Sequence, residues 1–291
     1  LALAFAQYIS LLPVQSSLQT RAASMFDEPA AKPSLPHTLS HAESFIQNQP
    51  GYVKASQLIH PDIHFSYPVF TRKSGEKPIA THFIKEWREF IKLMPYGNAY
   101  DWLQFINAEN KQGNITAEEC NDILRKLNLK SFESGYKILL MWMPEYLGKE
   151  GNKLLKLIEE PPPDTLFILV AENEELVLPT IISRCQLIKI SSPETNEIEQ
   201  ALMQRAGATE NTARQVAGLC EGNYREALLL LQHAEEDWQN TITDWLKFIL
   251  RKMLPDQLKW IEETAKLGRE KQKQLLRYFN HLIEQSIRLR I

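Results

Sequence analysis

The chain has 291 residues, of which 44% are hydrophobic and 24% charged. This length suits two or three domains, and the composition of a folded globular protein excludes disorder over the whole chain. Lys and Arg number 33 against 36 Asp and Glu, a net charge of −3, so any contact with nucleic acid has to be local. No stretch approaches the roughly 20 apolar residues that a membrane span requires.

Cysteine usage points to a reducing compartment. Cys120, Cys185 and Cys220 form no CxxC pair, which argues against a disulfide framework and against a zinc ribbon. We therefore expect a cytoplasmic protein. The apolar opening at residues 1–6 lacks the basic leader of a signal peptide, and without an initiating Met the sequence is interpreted as beginning inside a helix.

The first half of the chain predicts helices around an irregular segment. A helix over 1–12 should end before Pro13, and the Pro-, Ser- and Gln-rich residues 13–58 indicate an irregular insertion with one short helix at 40–47. A β-rich pattern predicts a strand within 60–69. Helical patterns follow at 79–93, 99–106 and 116–128, the last with Thr116 as its cap.

The centre of the chain predicts a parallel sheet. Short apolar runs at 136–143 and 165–171 are typical of strands buried on both faces, and a third strand is expected at 186–190. Helices are predicted between them, at 150–160 and 179–184. Strands that alternate with helices indicate an α/β fold.

After Ser192 the pattern is purely helical. Ser192 can cap a helix and Pro193 suits its first position. Helices are predicted at 194–206, 209–219, 223–236, 239–252, 255–266 and 270–289. The predicted domains are an α/β core at 1–191 and helical domains at 192–237 and 238–291.

The last 41 residues are locally basic, with ten Lys or Arg against five Asp or Glu. A solvated helix face explains this charge, and a contact with a protein or with DNA is the alternative. The basic positions are 251, 252, 259, 266, 269, 271, 273, 277, 288 and 290.

Arg184 is the first candidate for chemistry, at the end of a short predicted helix just before a predicted strand. Its guanidinium is a planar, always-charged fork that suits phosphate oxygens. Alone, the tripeptide Ser183-Arg184-Cys185 is equally compatible with a surface Arg beside a buried Cys.

The surrounding residues make the signal more specific. Residues 151–162, the strand at 165–169 and residues 178–185 follow the pattern N-x-L-L-K-x-L-E-E-P-P, strand, L-x-x-T-I-x-S-R-C. Order and spacing resemble the clamp-loader branch of the AAA+ family. Residues 222–228 resemble the sensor-2 region of its helical lid, and residues 60–62 (His-Pro-Asp) resemble a strand entry in bacterial members. The resemblance implies an AAA+ parallel-sheet domain, a helical lid at 192–237 and a partial helical collar at 238–291.

The end of the strand at 136–143 departs from an ATPase pattern. An ATPase strand ends in Asp-Glu, which hold Mg²⁺ and orient water, but this chain has Trp142 and Met143. Glu145, behind Pro144, is a poor substitute. The resemblance places the Gly-rich phosphate loop before residue 1. Within the family, the missing acidic pair at 142–143 together with a retained Ser183-Arg184-Cys185 implies the delta-prime type of subunit, which does not hydrolyse ATP.

The resemblance also implies roles and partners. Arg184 would be an arginine finger donated in trans, with Ser183 positioning it through a helix-end hydrogen bond and Cys185 through its burial. Arg225 matches a nucleotide-contacting position that would be vestigial here. The partners would be the gamma/tau motor subunits and delta, with primed DNA and the sliding clamp reached through the DNA-directed DNA polymerase holoenzyme.

Two other functions stay open at this point, an active gamma/tau-type ATPase and a helical adaptor that binds DNA through 251–291.

No cofactor and no metal site are expected. The four-Cys zinc module of bacterial relatives is missing, since no Cys precedes Cys120. The spacing of His37, His41, His60 and His64 is loose for metal ligands. Glu159 and Glu160 do not form an acid pair, because adjacent residues point to different helix faces.

Overall fold

The computed structural model describes residues 1–12, 44, 46–72, 75, 77–108, 111–232 and 238–288. The chain divides into two compact units, Leu1–Ile188 and Lys189–Ile291. The first is an α/β unit with a parallel sheet, and the second is helical in its described part. This confirms the predicted fold class, whereas the division of the later helices into a lid and a collar stays a prediction.

A three-stranded sheet forms the centre of the first unit. Its parallel strands are, in spatial order, β1 (Ile63–Ser66), β2 (Lys137–Trp142) and β3 (Thr165–Val170). Leu140 of β2 is aligned with Phe65 on one side and with Ile168 on the other. Because β2 has a neighbour on both sides, it buries every residue except the half-buried Trp142. This position explains its uninterrupted apolar sequence.

Two buried charged side chains fix the loops at the beginning of the strands. Asp62 is 3% exposed and accepts backbone N–H groups from Phe132, Glu133 and Ser134 at 2.6–2.7 Å. Lys137 donates to the carbonyls of Leu127 and Leu129 at 2.6 and 2.9 Å. Burial of both charges is tolerated because each is hydrogen-bonded.

One face of the sheet, which carries Ile138 and Leu140, packs against an aromatic-rich layer. The helices of this layer are α1 (Ala2–Ser10), α2 (Tyr52–Ser56), α3 (Ile84–Leu93) and α4 (Ala99–Phe105), with a 3₁₀ turn at Ala80–Phe83. A capping box between Asn98 and Asp101 begins α4. This layer brings the large side chains of α3 and α4 to the sheet.

The other face, which carries Leu139 and Met141, packs against shorter elements. These are α5 (Ala117–Leu127), a 3₁₀ segment (Pro144–Leu154), α6 (Leu155–Glu159), a 3₁₀ turn (Glu174–Leu176) and α7 (Pro179–Ile182). Thr116 caps α5 as predicted, accepting the N–H of Glu119 at 3.2 Å. At Gly148, φ 49° and ψ −141° interrupt the 3₁₀ segment in a region that suits glycine.

The second unit consists of helices in its described part. They are α8 (Thr195–Ala206), α9 (Glu210–Leu219), α10 (Tyr224–Gln232), α11 (Trp238–Leu250), α12 (Leu254–Ala265) and α13 (Arg269–Arg288). Helices α8 to α10 share one apolar core that includes Leu202 and Ala213. Trp245 of α11 stacks on Trp260 of α12 at 5.3 Å and meets Phe279 of α13 edge-on.

Several sequence predictions are wrong. The N-cap of α8 is Glu194 rather than Ser192, so Pro193 lies before the helix. Residues 186–190 form no strand, and Leu187, Ile188 and Ile190 are 54%, 71% and 68% exposed, because this segment joins the two units without a backbone ladder to a described strand. β3 is half-buried rather than buried, since β2 is its one neighbour among the described strands. Helix α2 lies in a segment predicted to be irregular. The predicted helix at 40–47 falls mostly outside the described residues.

Among the helices that the structure describes, none combines the length and apolar character needed to cross a membrane.

Candidate functional site

The carboxyl end of β2 is closed by aromatic side chains. The ring of Trp142 lies 5.2 Å from that of Trp87 and 6.1 Å from that of Phe90, both on α3 and both almost fully buried. We call this group the aromatic cluster; its members are Tyr67, Trp87, Phe90, Trp102, Phe105 and Trp142. Aromatic pairs at these separations stabilise a core beyond their buried area.

Hydrogen bonds fix the deeper members of the aromatic cluster. Tyr67 stacks on Trp87 at 4.1 Å, and its hydroxyl donates to the carbonyl of Ala80 at 2.8 Å. Trp102 donates its indole N–H to the carbonyl of Pro68 at 2.7 Å. Burial raises the pKa of Tyr67, which keeps the phenol neutral.

Met143 turns the chain sharply away from β2. It is 3% exposed and has the left-handed backbone conformation, φ 58° and ψ 60°, which is unfavourable for a side chain of this size. Its N–H donates to the carbonyl of Val170 at 2.9 Å, so the turn is held against the end of β3. Thioether and indole groups supply no hard oxygen ligand for Mg²⁺.

Glu145 is the first carboxylate after β2. One of its oxygens accepts the backbone N–H groups of Glu172 and Asn173, at 2.6 and 2.8 Å. This carboxylate therefore caps the turn that follows β3. In the described part of the chain, no three His, Cys, Asp or Glu side chains are grouped closely enough to hold a metal ion.

Arg184 lies just beyond α7, which ends at the cap residue Ser183. Its guanidinium is one-third exposed and forms an ion pair with Glu159, the last residue of α6. It also donates to the carbonyl of Thr180 at 2.7 Å and to Ser183 Oγ at 3.2 Å. Ser183 in turn donates to the Thr180 carbonyl at 3.1 Å.

Cys185 follows as a half-buried side chain on the α5–α7 face of the sheet. Burial raises the pKa of its thiol, which disfavours the thiolate. Ser183 and Cys185 thus place Arg184 between a helix end and the core.

Glu159 is the residue that sequence reasoning missed. Adjacent helical residues do not converge on one substrate, so the sequence argues against Glu159 and Glu160 as an acid pair. Glu159 instead meets Arg184, which is 25 positions away in sequence. Both positions lie in the motif of residues 151–185, but a sequence motif does not show that two of its side chains meet.

Arg225 lies in the second unit, at the beginning of α10. Its side chain is 20% exposed and lies 3.9 Å from the carboxylate of Glu226. Asn223 accepts the N–H of Glu226 at 3.1 Å and so caps the helix. Its predicted vestigial role stays a prediction.

The histidines belong to different surroundings. His37 and His41 lie outside the described residues, whereas His60 is buried and accepts the N–H of Asp62 through Nδ1 at 3.2 Å. Burial lowers the pKa of His60, and it lowers that of His64, on β1, to about 4. Both histidines are therefore neutral near pH 7.

Residues 47–194, more than half of the chain, match the family described as "DNA polymerase III, delta subunit". The chain belongs to this family. The resemblance to clamp-loader proteins that was inferred from residues 151–185 is thereby confirmed.

Two kinds of DNA polymerase III subunit are similar to this family member. The "DNA polymerase III subunit delta'" of Haemophilus influenzae is 31% identical over 138 residues, 47% of this chain and 40% of the relative. The delta' subunit of Escherichia coli is 26% identical over 151 residues, 51% of this chain and 44% of the relative. The "DNA polymerase III subunit gamma" of Buchnera aphidicola (from Acyrthosiphon pisum) is 27% identical over 170 residues, which are 55% of this chain and 46% of the relative. The chain thus spans about half the length of these relatives.

Among solved structures, a DNA polymerase III gamma subunit-related protein from Thermotoga maritima is similar, with 16% identity and a TM-score of 0.37. The match covers 76% of this chain and 65% of that one, and is too distant to bear on function.

Proposed function

We propose that the protein is a non-hydrolysing, delta-prime-type subunit of the DNA polymerase III clamp loader. It would donate Arg184 to ATP bound on a neighbouring motor subunit. The observation that carries the first part is the placement of Trp142 in the aromatic cluster. The position that suits a Mg²⁺-binding carboxylate is occupied there by an indole packed against Trp87 and Phe90.

The second part is supported by the position of Arg184. Its guanidinium is partly exposed at the end of a short helix, and buried Ile181 anchors that helix in the core. A fixed positive charge stabilises the charge that develops on a transferring phosphoryl group. An arginine finger supplied in trans typically contributes ~10³–10⁵ in rate.

The proposed partners follow from the kind of assembly. The similar proteins are gamma and delta' subunits of DNA polymerase III. We propose that this chain joins gamma/tau motor subunits and delta in the cytoplasm. Primed DNA and the sliding clamp would be bound through the complex, which makes the protein part of the polymerase holoenzyme without an activity of its own.

Reconstitution of the protein with its motor subunits, clamp and primed DNA tests the proposal. Arg184→Ala should leave assembly intact. It should lower the rate of ATP hydrolysis ~10³-fold at the one nucleotide site that adjoins this subunit. Arg214→Ala is the matched control, because Arg214 is a surface arginine paired with Glu210 on its own helix. Equal turnover for the two variants would refute the trans role.

The gamma-type alternative has its own test. A motor subunit would hydrolyse ATP when purified alone, whereas the proposed subunit would show no turnover above background. Turnover by the purified protein would overturn the non-hydrolysing assignment. DNA contact through 251–291 stays a prediction, and a salt titration of DNA binding by the purified protein tests it.

A further inference from the structure

Every nitrogen of the Arg184 guanidinium is engaged within its own chain. Nε donates to Oε1 of Glu159, and Nη2 forms an ion pair with the same oxygen. Nη1 donates to the Thr180 carbonyl and to Ser183 Oγ. The fork that would bind phosphate oxygens is therefore already occupied by a carboxylate.

The two side chains come from elements that are fixed separately in the core. Leu157 of α6 and Ile181 of α7 are 6% and 1% exposed and belong to the same apolar cluster. The backbones of both elements are thus held in place, while the side chains of Glu159 and Arg184 remain 44% and 32% exposed. The ion pair can open without any rearrangement of the sheet.

Carboxylate and phosphate compete for the same edge of a guanidinium, because each accepts two parallel N–H groups. Arg184 cannot present Nε and its paired terminal nitrogen to a phosphate while Glu159 holds them. We propose that Glu159 is a cis latch, a positioning residue that withholds Arg184 until a neighbour's triphosphate displaces its carboxylate. This inference rests on the proposed trans role of Arg184.

The strength of the latch follows from its exposure. Exposed ion pairs bias an equilibrium by roughly two- to fivefold. A triphosphate with bound Mg²⁺ carries more charge than one carboxylate and can displace it. The latch therefore sets how readily Arg184 engages when no clamp or DNA stabilises the assembly.

Glu159→Gln is the informative substitution, because it removes the charge and keeps the size of the side chain. In the reconstituted assembly without clamp or DNA, and at subsaturating ATP, we expect turnover to rise roughly two- to fivefold. Glu160→Gln is the matched control, since Glu160 is adjacent and exposed and has no ion pair among the described residues. Glu159→Ala is a second variant in case Gln still accepts a hydrogen bond from Arg184.

The double variants show whether Glu159 acts through Arg184. Arg184→Ala with and without Glu159→Gln should give the same low turnover, because the latch has nothing to hold once the guanidinium is gone. If Glu159 had a purely structural role, Glu159→Gln would lower the thermal midpoint of unfolding. The effects of Arg184→Ala and Glu159→Gln on turnover would then be additive.

The outcomes separate the latch from the proposed function. If Arg184→Ala leaves turnover unchanged, the trans role fails and the latch fails with it. If Arg184→Ala lowers turnover but both Glu159 variants match the wild type or fall below it, the latch alone is refuted. If Glu159→Gln raises turnover even without Arg184, Glu159 acts by another route and the inference is wrong.

Discussion

Trp142→Asp is the substitution that most directly tests the aromatic cluster. It places an acid at the position that, under the proposed function, corresponds to a magnesium-binding acid of an active ATPase, and it removes the indole that contacts Trp87 and Phe90. We expect a less stable protein that gains no ATP hydrolysis, because packing rather than one missing carboxylate determines what this end of β2 can do.

The magnitude follows from the burial of the rings. Truncating a large aromatic side chain in a core costs about 3–5 kcal/mol, and Trp142 belongs at the lower end because it is half-buried. The new carboxylate would also face Trp87 and Phe90, which are 2% and 0% exposed, and burial of charge adds to the loss. A loss of about 3 kcal/mol corresponds to a fall in the thermal midpoint of roughly 6–12 °C.

Urea and thermal unfolding of the purified protein measure this loss, alongside a coupled ATPase assay. Trp142→Phe is the control, because a phenyl ring keeps part of the contact and should cost less than about 1.5 kcal/mol. If the free energy of unfolding of Trp142→Asp stayed within about 1 kcal/mol of the wild type, the aromatic cluster would not be the packed unit described. Turnover of ATP by purified Trp142→Asp would equally refute the reasoning.

Two further predictions concern the sequence around β1. Burial lowers the pKa of His64 from 6.5 to about 4, so the unfolded chain takes up the proton first as the pH falls. The stabilising effect of neutral His64 is complete above pH 6.5 and is lost between 6.5 and about 4, by up to about 3 kcal/mol. In urea unfolding across this range, the free energy of unfolding should fall less with decreasing pH for His64→Gln than for the control His82→Gln at an exposed position. Identical pH profiles for the two variants would contradict the burial of His64. Asp62→Ala leaves three backbone N–H groups of residues 132–134 without their acceptor and should cost at least about 3 kcal/mol in the same assay. Exposed Asp244→Ala is its control, and an equal, small loss for both would show that the Asp62 carboxylate does not hold the loop.

Elements with strong local signals could be predicted from the sequence. β2 is recognisable because a central parallel strand must be apolar along its whole length. The beginning of α5 is recognisable because Thr116 accepts a first-turn backbone N–H and acidic residues occupy the first turn. In both cases a stretch of a few residues carries the cause of the structure.

Residues 186–190 show where that reasoning stops. Their apolar pattern predicts a strand, but a strand also needs a neighbour with which to exchange hydrogen bonds, and the described strands supply none. The half-buried state of β3 has the same origin. Neighbours in a sheet are a property of topology, which local periodicity does not contain.

For the candidate site too, the sequence predicts some features and not others. Trp142, Met143 and Arg184 are identifiable from motif positions, because they lie at fixed offsets from a strand or a helix. Their contacts are not identifiable, since Trp142 meets α3 across more than 50 residues of sequence and Arg184 meets Glu159 across 25. Long-range packing decides these pairs.

The turn at Met143 has a consequence for how this sequence can change over evolutionary time. A buried side chain in a left-handed conformation, directly after an indole that contacts two buried rings, leaves no stable intermediate through which acids could be introduced one at a time. Each reversal would cost folding energy before it restored any chemistry. Under the proposed function, the lack of a metal-binding pair at this place would therefore be a one-way step in the history of a lineage.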